Sequence, residues 1–332
     1  MAFRINYNYL SNFTLTQLHN TEHNLNKVVT QLSSGRRIVT AADDVSGYNI
    51  VQRLTKVSRG IEQGIMNAQD GISLTQVALA ATQQMIDNYQ TVRQKALQAA
   101  NETVNPAERK QIGTEIAKII EAMDRLAQSV DFNEFKLFQS AKLKDLGVHS
   151  FTMKYELTTG ESITVTMFTF MIQYGPATGV TGKTSFGANG AGDNRIFAPT
   201  FTDTIFSKVL GIKVQDQNFQ QIAKALESKY GFGNVEKAES KILEFATRVS
   251  DLINILSDQA ANMGSTINQL QSIINFNEQA KTTIDEATSR IRDVDFAKAT
   301  ARFQKLQILM QSGTAMLAQA NQLPQYALRL IG

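Results

Sequence analysis

The chain has 332 residues and no cysteine, which excludes disulfides, thiolate metal sites and cysteine nucleophiles together. Zero cysteine fits a protein that is exported and works without oxidative help. Tryptophan is also absent, and proline occurs only at Pro106, Pro176, Pro199 and Pro324. With so few helix breakers, most of the chain is free to form very long helices. The net charge of +3 is small for this length and gives no basis for general nucleic-acid binding. The longest apolar run, Met167–Ile172, is far too short to cross a bilayer, so no membrane insertion is expected. The first twenty residues are interrupted by Asn6, Asn8 and Asn12 and contain no apolar core of a secretory leader. Export, where it occurs, is expected to use another route.

What the chain does have is helical periodicity at both ends. From Ile50 the apolar or small positions run Leu54, Val57, Ile61, Ile65, Ala68, Ile72, Thr75, Leu79, Thr82, Ile86, Tyr89, Val92 and Ala96. Steps of three and four sustained that long predict a coiled-coil-like helix. Asn105 and Pro106 break it, and a second helix follows through Ile112, Ile116, Ile119, Met123, Leu126 and Val130. Late in the chain the steps return at Phe245, Val249, Leu252, Leu256, Ala260, Met263, Ile267, Leu270 and Ile274. Neither long helix can bury its stripe alone, so the two are expected to pack against each other as an antiparallel pair.

The middle, about 143–235, reads differently. "SFTMKYELTTGESITVTMFTFMI" alternates around Thr159-Gly160 and predicts a β-hairpin. A Gly/Thr/Asn-rich loop follows, then a short helix over Asn218 to Lys229. The expected fold is mainly α, a helical rod built from both ends of the chain with a small α+β insertion between them. At the extreme ends, Leu18, Leu25 and Leu32 fall seven apart, as do Phe296, Phe303, Met310 and Leu317, with Leu306 on the same helix. Both are heptad-type seams. Beyond Asp295 there is no acidic residue, but the polar face is mostly Gln, Ser and Ala, which favours packing on protein helices over a membrane surface.

Candidate chemistry is sparse. His19, Glu22 and His23 fit H-x-x-E-H, a zinc-protease spacing. A catalytic zinc needs a third protein ligand and an open position, and the only other histidine is His149. Because the motif sits inside the leucine seam, ordinary surface histidines are the preferred reading, and no metal or cofactor is expected. Ala177–Thr184, "ATGVTGKT", resembles a phosphate loop, but the glycine-rich stretch that follows cannot start a helix to face the phosphates. The triplets at Asn12 and Asn101 match the glycosylation sequon only weakly. No catalytic triad can be assembled, and no enzyme is expected.

Two stretches go beyond periodicity. "LSSGRRIVTAADDVSGYNI" (Leu32 to Ile50) resembles the N-terminal signature of bacterial flagellins. "SRIRDVDFAKATARFQKLQILMQSGTAMLAQANQLPQYALRLIG" (Ser289 to Gly332) is similar to the flagellin C-terminus almost throughout. With Asn6 and Asn8, the resemblance covers about 1–140 and 236–332. It implies a structural subunit that polymerises into the helical flagellar filament for swimming motility, located outside the cell. Residues 1–45 and 291–332 would form the inner filament core, 46–142 and 236–290 the long-helix domain, and 143–235 a variable outward-facing insertion. Export would be unfolded, through the flagellar type III system, without a cleaved signal peptide.

The resemblance also implies partners. These are other copies of the chain in a helical homopolymer, a flagellar export chaperone, the cap, hook–filament junction proteins and sister flagellins. The hook–filament junction protein is the alternative identity, because that relative shares the "SSG…DD" character. The family surface recognised by the innate flagellin receptor matches Gln90, Arg93, Gln98 and Glu115, but Thr91 and Lys95 stand where the common pattern has arginine and leucine. Losing a bidentate donor and gaining a charge at an apolar anchor is expected to weaken that contact.

Overall fold

The structure, a computed structural model, describes residues 8–138, 149–173, 195–201, 204–214, 217–232 and 238–331. Ala177–Thr184 and Asn6 lie outside the described residues. The chain is mainly helical. In order come α1 (Tyr9–Ser34), α2 (Val45–Ala99), α3 (Pro106–Ser129), β1 (Asp131–Phe132), β2 (Phe135–Lys136), β3 (His149–Glu156), β4 (Ser162–Gln173) and β5 (Arg195–Phe201). Four helices follow: α4 (Thr204–Leu210), α5 (Phe219–Tyr230), α6 (Ala238–Arg292) and α7 (Phe296–Ile331). The two long helices α2 and α6 are each 55 residues. Contacts group the chain into two units, a first of Met1–Arg59 with Ala280–Gly332 and a second of Gly60–Gln279.

In the first unit α1 lies along α7. A Cβ at Gly313 would meet Leu18 Cδ1 at 3.2 Å, and one at Gly35 would sit 3.9 Å from Phe296 Cζ. These contacts set an antiparallel register that puts Leu25 opposite Leu306 and Leu32 opposite Ala299. Near the start of α1, the Asn8 side chain accepts from Ser11 N–H (3.1 Å) as N-cap and donates from Nδ2 to the Ala320 carbonyl (2.7 Å). Also in this unit, Ser58 Oγ donates to Asp285 Oδ1 (2.8 Å), joining α2 to α6.

The second unit holds the apolar core. Within it Thr82 on α2 touches Met263 on α6, and the apolar steps read from α6 are buried at Phe245, Val249, Leu252, Leu256, Met263, Leu270 and Ile274. The buried face of α2 is wider than a single stripe: Ala78, Ala81 and Met85 are covered as well as Thr75, Thr82 and Tyr89. Towards its C-terminal end α2 is also met by α3, through Lys95 and Glu115, and by α4, where the Tyr89 and Phe206 ring centroids are 5.5 Å apart. Asn105 caps α3 in a full capping box with Glu108, and Pro106 takes the first turn, where no N–H partner is needed. Arg109, itself buried, donates to the Ala99 and Asn101 carbonyls (2.9 and 3.1 Å) and closes the end of α2. Gly113 lets Phe232 approach, since a Cβ there would meet that side chain at 3.0–3.2 Å.

β3, β4 and β5 form an antiparallel sheet in that order, with Glu156 opposite Ser162 across the turn. The hairpin read at Thr159-Gly160 is present, and Gly160 supplies the positive φ (80°) that the turn requires. This turn is clamped onto α6. Asp251 accepts from Thr158 N–H (3.0 Å) and from Thr158 Oγ1, Arg248 pairs with Glu161 (2.9 Å), and Gln259 donates to the Tyr155 hydroxyl (3.0 Å). Burial alone would lower the Arg248 pKa, but Glu161 and Glu244 outweigh it and hold the pKa above the usual value. The short helix read at Asn218 is α5, ended by Gly231 in the left-handed conformation. Its last residue, Tyr230, donates to the Leu210 carbonyl (2.6 Å), and burial pushes its pKa up to about 12.

Candidate assembly surface

The signature around "LSSGRRIVTAADDVSG" is an elbow between α1 and α2, in which Gly35, Arg37, Asp43, Asp44 and Gly47 have local tasks. Gly35 ends α1 with φ 68°, a conformation glycine adopts without a Cβ clash. Its carbonyl accepts from Val294 N–H (3.0 Å), while Arg37 N–H donates to the Arg292 carbonyl (2.6 Å). The two connections, after α1 and before α7, are thereby joined backbone to backbone. Arg37 Nη2 adds a bond to the Ile291 carbonyl (2.7 Å).

Asp43 folds the elbow loop. Its carboxylate pairs with Lys27 on α1 (2.7 Å) and accepts from the N–H groups of Val39 (3.1 Å) and Thr40 (3.0 Å). The Lys27 contact, followed by the backbone bonds, holds its pKa down to about 2. Asp44 accepts from Gly47 N–H (2.8 Å) at the start of α2. Gly47 has no room for a side chain: a Cβ would lie 2.5 Å from Asp44 Oδ2 and 2.7 Å from Ile38 Cδ1, and Ile38 is buried.

The seam residues fall where α1 and α7 face each other, but to different depths. Leu306 is buried, while Leu18, Leu25, Leu32, Phe303, Met310 and Leu317 are half-buried and Phe296 is 56% exposed. The deepest line on α7 is a second heptad, Ala299, Leu306, Gly313 and Ala320, three residues beyond the one read from sequence. Alanine and glycine at three of those four positions give little hydropathy contrast, so that line is silent in the sequence, although its seven-residue spacing could have revealed it. The hairpin also leaves large apolar side chains in water. On α1 these include Leu10, Phe13, Leu15 and Val29, and on α7 Ile308 (65% exposed), Leu309 and Met316. Paired helices that cover one stripe and leave a second one bare are built to be covered again by other helices.

His19 and His23 are exposed on α1, with His19 Nδ1 3.6 Å from Glu22 Oε2. Among the described residues no group of three or more potential ligands could hold a metal ion, and no helix is long and apolar enough to cross a membrane. The receptor-like residues gather in the second unit. Gln90, Thr91, Arg93 and Gln98 are exposed on α2, and Lys95 pairs with Glu115 on α3. That hydrogen bond lowers the Glu115 pKa, and Thr91 Oγ1 donates to its own helix at the Asp87 carbonyl (3.1 Å).

Long paired helices, a backbone-locked elbow and bare apolar faces on both terminal helices define a helical assembly subunit. The chain matches the model of the bacterial flagellin N-terminal helical region over residues 5–142 and that of the C-terminal helical region over 246–331. It is 32% identical to the flagellar filament 33 kDa core protein of Treponema phagedenis, over 98% of this chain and 99% of that one. It is 30% identical to flagellin FlaB2 of Treponema pallidum over the same shares. The chain belongs to the bacterial flagellins, structural proteins and not enzymes. Among solved structures, a putative flagellar hook-associated protein of Vibrio parahaemolyticus shares the fold, with a TM-score of 0.52, 12% identity, and 76% of this chain and 100% of that one covered.

Proposed function

We infer that this chain is the structural subunit of a bacterial flagellar filament, polymerising with copies of itself outside the cell to serve swimming motility. The observation that carries this, beyond family membership, is the apolar surface α1 and α7 leave bare, which further subunits would cover. Non-closing contacts between copies give an open helical filament. In this reading residues 1–45 and 291–332 form the inner core, 46–142 and 236–290 the surrounding helical layer, and 143–235 the outward face. The chain is exported unfolded by the flagellar type III apparatus without a cleaved signal, and an export chaperone, the cap and the hook–filament junction proteins are its partners. The Lys95–Glu115 pair occupies the acidic group of the receptor-like surface, so activation of the innate flagellin receptor is weak or absent.

Seeded growth tests the central part. Purified chain added to filament fragments is expected to extend them without limit, and Phe303→Asp, which puts a carboxylate in the seam, is expected to stay soluble and not extend them. A hook–filament junction protein would bind the fragment ends and stop. Absence of growth by the unmodified chain would contradict the filament reading.

A further inference from the structure

The two long helices each carry, within the second unit, a long stretch without a single charge. On α6 no Asp, Glu, Lys or Arg occurs from Gln259 to Asn277, and on α2 none occurs from Gly71 to Ile86. With 19% of the chain charged, a stretch the length of the first would ordinarily carry about three or four. The two runs lie side by side, because Thr82 in one touches Met263 in the other. Burial does not account for the missing charges. Ala261, Ser265, Asn268, Gln269 and Ser272 are solvent-exposed on α6, and Phe276, at the end of this line, is 72% exposed. On α2 Gln76, Val77, Gln83 and Gln84 are exposed as well. The outer positions of a solvated coiled coil ordinarily carry Glu and Lys.

The α6 side forms a shallow groove floored by small residues, and at Gly264 a Cβ would meet nothing within 4 Å. The α2 side offers longer side chains, Gln and Val. An uncharged groove and an uncharged helix face match each other in polarity, and charge is depleted where an interface is fully covered. We propose that this charge-free belt is a lateral contact between copies, in which the α6 groove of one subunit receives the α2 face of a second copy. The two patches differ, so the contact is heterologous and does not close on itself, as a growing filament needs. The inference rests on the filament reading and specifies which surface of the second unit the assembly covers.

The test uses the full chain in seeded growth. Ser272→Glu on α6 and Gln76→Glu on α2 place a carboxylate in the belt at exposed positions, so the monomer keeps its helical signal and melting curve. Each is expected to raise the critical concentration for growth at least about tenfold, because a charge buried between copies has no partner. Lys241→Glu, exposed on the same helix outside the belt, is expected to grow like the unmodified chain. Because the chain has no cysteine, Ser272→Cys gives a second readout. Its thiol should react with a maleimide in the monomer and be protected in the filament, whereas Lys241→Cys stays reactive in both. Normal growth of both belt variants, loss of growth in all three charge variants alike, or equal labelling of Ser272→Cys in monomer and filament would overturn the belt. Failure of the unmodified chain to grow would instead reject the filament reading beneath it.

Discussion

Asp43 sits in the elbow with three backbone or side-chain donors and the Lys27 ammonium converging on one carboxylate. Its pKa lies near 2, below the 3.8 of an unfolded aspartate. A depressed carboxylate stabilises the folded form fully above the unfolded pKa, and that contribution disappears as pH falls from about 3.8 through about 2. The elbow therefore stays intact in mild acid. Asp43→Asn is expected to cost about 1–2 kcal/mol at neutral pH and to remove the stability loss in that acid window. Hydrogen exchange of the elbow amides against pH measures both effects. Gly47 makes a sharper case: Gly47→Ala pushes a methyl into Asp44 and Ile38. The strain should cost about 1–3 kcal/mol, read as a lower denaturation midpoint for the purified monomer. Neither role follows from residue type alone. "ADD" and "SG" were visible as a family pattern, but the partner Lys27 lies sixteen positions upstream and only the folded elbow brings it in.

The helices were the most legible elements, because steps of three and four over dozens of residues have few other readings. Asn105-Pro106 marked the α3 start through local capping chemistry, and Asn105→Ala should lower stability by about 1 kcal/mol, measurable by thermal melting. The β3–β4 hairpin and α5 were also signalled locally, by alternation around Gly160 and by Asn218, whereas β5 and α4 were not read from the sequence. Pairings over long sequence distance were not. Nothing local in the sequence marks Asp251 and Arg248, which hold a turn about ninety residues upstream. On α7 the apolar heptad was readable, while the deeper Ala299, Gly313 and Ala320 line was hidden by the small size of its residues. The seam and the bare face make different expectations for mutants. Ile308 is 65% exposed, so Ile308→Asp should leave the monomer's melting curve unchanged and still abolish seeded growth, whereas Phe303→Asp should disturb both.

At the scale of the whole molecule, two units divide the work. The first carries the elbow, the α1–α7 hairpin and most of its bare apolar surface; the second carries the apolar core, the clamped sheet and the uncharged belt. A chain with this distribution is stable in part as a monomer and gains the rest on assembly, as expected when a binding partner favours the folded form. Without neighbours, the terminal helices have only each other to pack on and are the elements most prone to fray. The most direct measurement is an electron-microscopic reconstruction of filaments grown from the purified chain. The expected map shows continuous helical filaments in which Ile308, Leu309 and Phe13 are buried against neighbouring terminal helices. Filaments with those side chains facing solvent, or no filament from seeded, folded chain, would contradict the account.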